Sequence, residues 1–277
     1  MQLLLPTNNV PFTLAIGIKT KQPEEIVIQI MDAHKPNTLY ISRRTWVNGE
    51  REYFLNLPQS PKAAQVNVFN IKTENPRLKD DSFEITKIQP EELEQCPVWM
   101  NQETKSFVAF AKQFSENAGI YSAGEYTPHI YRSDDSKFHI DYFIKIFDRQ
   151  TKQVLSTPAR IGHATGVIEV AKADFINYTV PMRMIILLHE FAHKYLNPRI
   201  NKPIGYEVGA DINALNIYLS LGYPPSEAHY AFLHVFKDNN NADNAKRYLI
   251  IKDFIDKFTR GEIKGSCEFK TNNGNKK

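Results

Sequence analysis

The sequence predicts an α+β protein in which an all-β region precedes a mixed region that ends in helices. Three observations lead to this prediction. Up to about residue 90, short β-branched and aromatic segments alternate with turn residues. An acidic stretch bracketed by prolines follows at 89–97 and is typical of a linker. From residue 181 to near residue 260, apolar residues recur at helical spacing. We therefore expect domains at 1–90 and 91–265, and a disordered polar tail at 266–277.

The first region is expected to contain six strands, at 10–19, 26–32, 38–47, 51–57, 64–73 and 82–88. Asn48-Gly49, between two of them, is typical of a two-residue hairpin, because both central residues of a type I′ turn need positive φ. Strands at this spacing predict a small antiparallel β-sandwich, immunoglobulin-like in outline. Its aromatic residues, Trp46 among them, are interpreted as packing residues. Such a module would dock a protein partner or cap its neighbour.

The second region begins with an amphipathic helix at 101–117, stopped by Gly119. Strands are expected at 127–132, 139–147 and 166–172, with a polar loop at 148–165. The strand at 166–172 has two interpretations. It is either an edge strand that pairs with an extended substrate or one more strand of the core.

The most informative motif is His189-Glu190-Phe191-Ala192-His193, an H-E-x-x-H pattern within the apolar run 182–196. Two histidines at i and i+4 share one helical face, so both imidazoles can reach one metal ion, and the glutamate can act on a water there. The plainer alternative is two histidines on a core helix. Such a helix would bury two unpartnered imidazoles, a cost that metal ligation removes. Pro181 is expected to begin this helix and Asn197-Pro198 to end it.

Two further acids follow on a helix predicted from residue 206 to Leu221, with Gly222 as its cap. Glu207 and Asp211 are again at i and i+4. One can bind the metal, and the other can accept the free ring N–H of a ligating histidine. The alternative is that acids in a first helical turn merely complement the helix dipole.

H-E-x-x-H followed by E-x-x-A-D resembles the gluzincin metallopeptidases over about residues 160–222. The resemblance implies a compact zincin-like domain with one Zn²⁺, held by His189, His193 and Glu207. It also implies Glu190 as the general base and Asp211 as the carboxylate that orients a ligand histidine, His189. Glu207 lies 14 residues after His193, a short spacing that implies a trimmed connection. The met-turn class is excluded, because Arg199 stands where its third histidine would be.

An oxyanion in such a site takes a further donor from a downstream tyrosine or histidine. The candidates are Tyr206, His229 and Tyr230 first, then Tyr218, Tyr223 and His234; each could equally be a packing residue. His163, which lies between two glycines, is interpreted as a loop histidine.

Composition excludes several other classes. The apolar content of 42%, the charged content of 23% and the net charge of +3 are ordinary for a globular protein, and the basic residues form no stripe for nucleic acid. No secretory signal or membrane span is expected. The spacing of Cys96 and Cys267 indicates no disulfide framework, which favours a reducing compartment. The expected location is therefore the cytoplasm or a packaged particle.

The leading hypothesis is a zinc-dependent peptidase acting on a peptide or protein substrate, with the β module as a docking site for an assembly partner. A second hypothesis is a zincin-fold structural component of a larger assembly, such as a phage particle, in which zinc mainly stabilises the fold. A third is a regulatory peptidase that cleaves one cytosolic partner.

Overall fold

The computed structural model describes residues 1–35, 37–73, 76–77, 80–96, 98–118, 121–195, 206–237, 241–263 and 266. The chain divides into two compact units: Met1–Cys96 with Leu221–Pro224 and Thr259–Lys277, and Pro97–Ser220 with Pro225–Phe258. The mixed α+β class is confirmed. Apart from Ser266, the tail expected to be disordered lies outside the described residues. Within the described ranges, no helix combines the length and the apolar character needed to cross a membrane.

The described residues of the first unit form a five-stranded antiparallel sheet. Its strands are β1 (Gln2–Pro6), β2 (Phe12–Asp32), β3 (Leu39–Leu57), β4 (Ala63–Asn70) and β5 (Phe83–Glu91). The long strand β2 organises it: 13–20 pairs with β5, 26–32 pairs with β4, and β3 runs along both halves. A β-bulge between Thr20 and Glu24 separates the halves. Leu14, Ile16 and Ile18 are fully buried and form part of the core.

Several expectations for this unit were wrong. Two pairs of expected strands are each continuous, as β2 and β3, and β1 was not expected. Asn48-Gly49 makes no hairpin: Gly49 has φ of 73° but lies inside the ladder, opposite Thr20. The positive φ of Gly49 serves a β-bulge as well as it would serve a turn. Strand β5 extends to Glu91, so the start of the expected linker belongs to the sheet. Trp46 is 66% exposed rather than packed.

The second unit combines a four-stranded sheet with helices. Its elements are α1 (Gln102–Asn117), β6 (His129–Arg132), β7 (His139–Phe143), β8 (Ala159–Ile161), β9 (Ile168–Ala171), α2 (Lys172–Phe175), α3 (Val180–Lys194), α4 (Tyr206–Ser220), α5 (Pro225–Lys237) and α6 (Ala242–Thr259). The strand order is β6-β7-β9-β8, with β9 parallel to β7 and antiparallel to β8. The stop expected at Gly119 lies outside the described residues.

The edge-strand interpretation of 166–172 was wrong. Strand β9 is paired on both sides and all four of its residues are buried, so it is a central strand. Among the described residues, β8 has β9 as its single partner and is the edge. It lies inside the stretch 148–165 that was expected to be a polar loop, because three residues are too few to show an alternating pattern.

Helix α3 carries the H-E-x-x-H motif and begins as expected. The side chain of Thr179 accepts a hydrogen bond from the Met182 amide, and Pro181 occupies the first turn. The ring of Phe191 stacks on Phe107 of α1, with centroids 4.2 Å apart. The chain after Tyr195, including the stop expected at Asn197-Pro198, lies outside the described residues.

Two polar residues of α3 lie in the protein interior. Arg183 is 1% exposed, and Glu190 is buried as well. The guanidinium of Arg183 donates 2.8 Å hydrogen bonds to the carbonyl oxygens of Phe175 and Ser115, which join α2 and α1 to α3. A buried arginine is stable here because its donors are satisfied by backbone acceptors.

Cys96 is disulfide-bonded. The sequence contains one other cysteine, Cys267, which lies outside the described residues. The expectation that no disulfide would form was therefore wrong, because sequence spacing does not limit which cysteines a fold brings together. Disulfides persist mainly in oxidising compartments, so the cysteines give no support to a reducing one.

Candidate metal centre

His189, His193 and Glu207 come together from α3 and α4. The two Nε2 atoms are 3.0 Å apart. Nε2 of His189 lies 3.6 Å from Oε2 of Glu207, and Nε2 of His193 lies 3.7 Å from Oε1. All three ligand atoms are within 4.8 Å of one another, so the group could hold a metal ion.

The donor set fits a tetrahedral ion in both spacing and chemistry. Zinc–nitrogen bonds of about 2.0–2.1 Å in a tetrahedron place neighbouring donors about 3.4 Å apart. The separation of the two imidazole nitrogens and the distance from each of them to its nearer Glu207 oxygen are close to this value, and the two histidines face different oxygens of that carboxylate. Two facing imidazole nitrogens repel each other through their lone pairs unless a proton or a metal lies between them. Imidazole and carboxylate are also the ligands that zinc and other first-row divalent ions accept.

Asp211 orients one of the two imidazoles. It is fully buried on α4, and its Oδ1 lies 2.8 Å from Nδ1 of His189. When a metal takes the place of the proton on Nε2, this carboxylate would keep the other proton on Nδ1 and leave the Nε2 lone pair free to bind. This tautomer is the one a ligating histidine needs.

The charges around the site favour a cation at its centre. Burial lowers the pKa of His189, but its contacts with Asp211 and Glu207 outweigh burial and raise it to about 10. The hydrogen bond with His189 lowers the pKa of Glu207 to about 2, so this carboxylate is ionised. Burial, with the positive charge of His189, lowers the pKa of His193 to about 4 and keeps it neutral. The carboxylates thus stabilise positive charge where a metal would supply it.

Glu190 faces the same space as the three donors. The pKa of this carboxyl is raised to about 7, mainly by burial, with the charge of His189 opposing the rise and that of Glu207 adding to it. The backbone N–H of Ile161, on the edge strand β8, slightly opposes this rise in the pKa of Glu190.

A cavity of about 500 Å³ surrounds the cluster. Residues 157–161, which include the edge strand β8, form part of its lining, and apolar residues form another part. The apolar residues, from α3 and α5, are Ile185, Ile186, Ala231, Phe232, Val235 and Phe236. Asn241, Asn244 and Arg247 add a polar end to the cavity. The cavity can therefore admit an extended chain along β8 with an apolar side chain against the helices.

The candidate donors from the sequence are not all in this cavity. Tyr206 does line the cavity. Its ring stacks on His193 with centroids 4.6 Å apart, and its hydroxyl donates to the carbonyl oxygen of His193 across 3.1 Å. The same hydroxyl lies 2.8 Å from Nδ1 of His163. Neither His229 nor Tyr230 is among the described residues that line the cavity.

Two lining residues were missed by the sequence reasoning. His163 sits in the β8–β9 turn, where Gly162 and Gly166 share a backbone hydrogen bond, and its ring is 6.1 Å from that of His193. The glycines flanking it were the available signal. Arg247 reaches the site from α6, distant in sequence from the other residues, and no local pattern marks it.

The chain matches no known protein-family model, and no curated protein is significantly similar to it in sequence. Its function therefore has to be argued from the site.

Proposed function

We propose that this protein is a zinc metallopeptidase of the gluzincin class, with a zincin-like domain in its second unit. The observation that carries the proposal is the convergence of His189, His193 and Glu207 within 4.8 Å, in a cavity that Glu190 also lines. Asp211 beside His189 supports the same assignment. The arrangement of these residues and their types are those that hydrolytic zinc sites use.

When bound, a zinc ion would polarise the scissile carbonyl and make a coordinated water more acidic. Glu190 takes a proton from the attacking water as its oxygen bonds to the carbonyl carbon. The carboxyl then returns that proton to the amide nitrogen as the C–N bond breaks, so an acid and an amine leave. A carboxyl buried to this degree suits both steps, because its pKa lies close to neutrality.

His163 and Tyr206 are the polar side chains best placed to donate to the carbonyl oxygen as its charge develops. Strand β8 is the proposed docking edge for the substrate backbone, since it lines the cavity and has β9 as its one described partner. The substrate is then an extended peptide or protein segment.

The proposal is tested by metal content and by Glu190→Gln. Purified protein should carry about one zinc per chain. The variant should keep zinc and lose about 10²–10⁴-fold in cleavage rate, because the base is absent while the ligands remain. Glu50→Gln, an exposed glutamate of the first unit, is the control and should cleave normally. A Glu190→Gln variant that cleaves like the wild type would remove the assigned base.

A second function is favoured by the first unit. Trp46 is 66% exposed on β3, which pairs with β2 alone among the described residues. We infer that this unit docks a protein partner, and that β2 and β3, bent at their bulge, form the two layers of the sandwich. In this alternative the protein is a component of an assembly, a particle included, and zinc stabilises its fold. Wild-type protein that binds zinc but cleaves neither generic peptides nor co-purified proteins would favour this alternative.

A further inference from the structure

Arg247 of α6 contacts both carboxylates that α4 contributes to the site. Its Nε lies 3.1 Å from Oδ2 of Asp211, and its Nη2 lies 3.1 Å from Oδ1. The same Nη2 lies 3.2 Å from Oε2 of Glu207. The guanidinium is also packed over the ring of Phe236, with Cζ 4.8 Å from its centroid. Only 18% of the Arg247 side chain is exposed.

These contacts restrict Asp211 in a way that a single hydrogen bond does not. Two donors of one planar group bind the two oxygens of the carboxylate, so its plane cannot rotate freely. Oδ1 is also the atom 2.8 Å from Nδ1 of His189. The orientation of the His189 ring therefore depends on the guanidinium, through a carboxylate that is fully buried.

The contact with Glu207 has a second effect. By holding Oε2, Arg247 limits the turning of a side chain that is itself half exposed. Oε1 then remains directed at His193, 3.7 Å from its Nε2. One arginine thus restrains a proposed ligand directly and a second ligand through Asp211.

The charge count agrees with this role. Glu190, Glu207 and Asp211 bring three negative charges into a largely buried cluster when all are ionised. A divalent cation and Arg247 together supply three positive charges. Without the arginine, the buried carboxylate of Asp211 would lose a positive charge that contacts both of its oxygens, which is costly in a low-dielectric interior.

We propose that Arg247 is a positioning residue of the metal centre, which fixes the donor atoms of His189 and Glu207 before a metal binds. The inference rests on the metal site of the proposed function and does not depend on peptidase activity.

The test measures the zinc dissociation constant by competition with a chromophoric chelator. Arg247→Met should weaken zinc binding by about 10–100-fold, the usual effect of losing a group that orients a ligand. The zinc dissociation constant of Arg247→Lys should lie closer to that of Arg247→Met than to that of the wild type. A lysine ammonium is a point charge and lacks the planar set of donors with which a guanidinium binds both oxygens of a carboxylate. Lys246→Met, the exposed neighbour on α6, should bind zinc normally.

A double-mutant cycle with Asp211→Asn shows whether Arg247 acts through Asp211. The zinc affinity of the double variant should fall by a factor much smaller than the product of the factors for the two single variants. Multiplicative losses, or an Arg247→Met variant that binds zinc as tightly as the wild type or tighter, would overturn the proposal. Thermal unfolding of the zinc-free proteins checks the fold, and Arg247→Lys keeps the test informative if Arg247→Met unfolds. Wild type that binds zinc without cleaving peptides would contradict only the proposed function.

Discussion

Oδ1 of Asp211 lies 2.8 Å from Nδ1 of His189, on the opposite side of the imidazole ring from the nitrogen that faces Glu207. The ring is therefore held between one carboxylate that orients it and another that shares its proposed metal. This relationship assigns different roles to two acids of the same helix, and the roles can be separated.

We expect Glu207→Ala to lower zinc affinity more than Asp211→Ala does. The first change removes a donor atom, whereas the second removes a group that orients one and costs about 10–100-fold. Isothermal titration of the metal-free proteins with zinc measures both. Asp243→Ala, at an exposed site in the first turn of α6, is the control. The opposite order of affinities would exchange the roles of Glu207 and Asp211.

Tyr206→Phe and His163→Ala should each keep zinc while lowering kcat by about 10²–10³-fold, the usual cost of losing one donor to a developing oxyanion. Steady-state kinetics on a fluorogenic peptide, with zinc content measured in parallel, checks this. Tyr230→Phe serves as the control, since Tyr230 does not line the cavity. If Tyr230→Phe lowered kcat and Tyr206→Phe did not, the donor would belong to α5.

Arg183→Met should lower the free energy of unfolding of the second unit by about 2–4 kcal/mol. The change keeps an apolar stem but removes the Arg183 donor from the carbonyl oxygens of Phe175 and Ser115, at about 1–3 kcal/mol each. The Phe175 oxygen keeps the backbone N–H of Tyr178 as a donor, so its loss lies at the lower end of this range. Urea denaturation followed by circular dichroism measures the effect. The matched variant Lys105→Met, on the exposed side of α1, should change stability little.

Glu24 should make the first unit sensitive to acid. Hydrogen bonds from Lys72, Asn70 and Gln22 lower its pKa to about 2. Because the folded pKa lies below the unfolded value of about 4.3, the stabilisation is complete above pH 4.3 and is lost as the pH falls through about 2. Glu24→Gln should therefore lower the melting temperature at pH 7 and have little effect near pH 2.

Thermal unfolding from pH 7 to pH 2 tests this dependence. Glu50→Gln, at an exposed glutamate, should shift the melting temperature equally little at every pH. A Glu24→Gln effect that is the same at pH 2 and pH 7 would contradict the role of the ionised carboxylate.

The shared face of His189 and His193, and that of Glu207 and Asp211, could be predicted because helical periodicity is a local property. That Glu207 joins the two histidines was implied by the gluzincin resemblance. Two residues four positions apart share a face of an α-helix, whatever the helix packs against. Arg247 could not be predicted in this way, because its place depends on how α6 packs against α4 and α5. Its sequence neighbours are those of an ordinary surface helix.

The strands show the same limit. Pro23 and Asn48-Gly49 are residues that usually end a strand, since proline lacks a backbone donor and Asn-Gly favours positive φ. In the fold, Pro23 and Gly49 lie at one bulge, where an interrupted ladder needs neither a donor nor negative φ. Whether such residues end a strand or bend it depends on the partner strand, which local sequence does not specify.

Gly49 also bears on how copies of this chain behave in concentrated solution. Strand β3 has β2 as its single partner among the described residues, so its other side presents backbone donors and acceptors along a 19-residue strand. An uninterrupted edge of that length is a template for aggregation. The β-bulge between Thr20 and Glu24 lies opposite Gly49 and divides this ladder into two shorter segments, and bulges bend the strands that carry them. A flat strand from another molecule could then follow only one of them, which favours solubility.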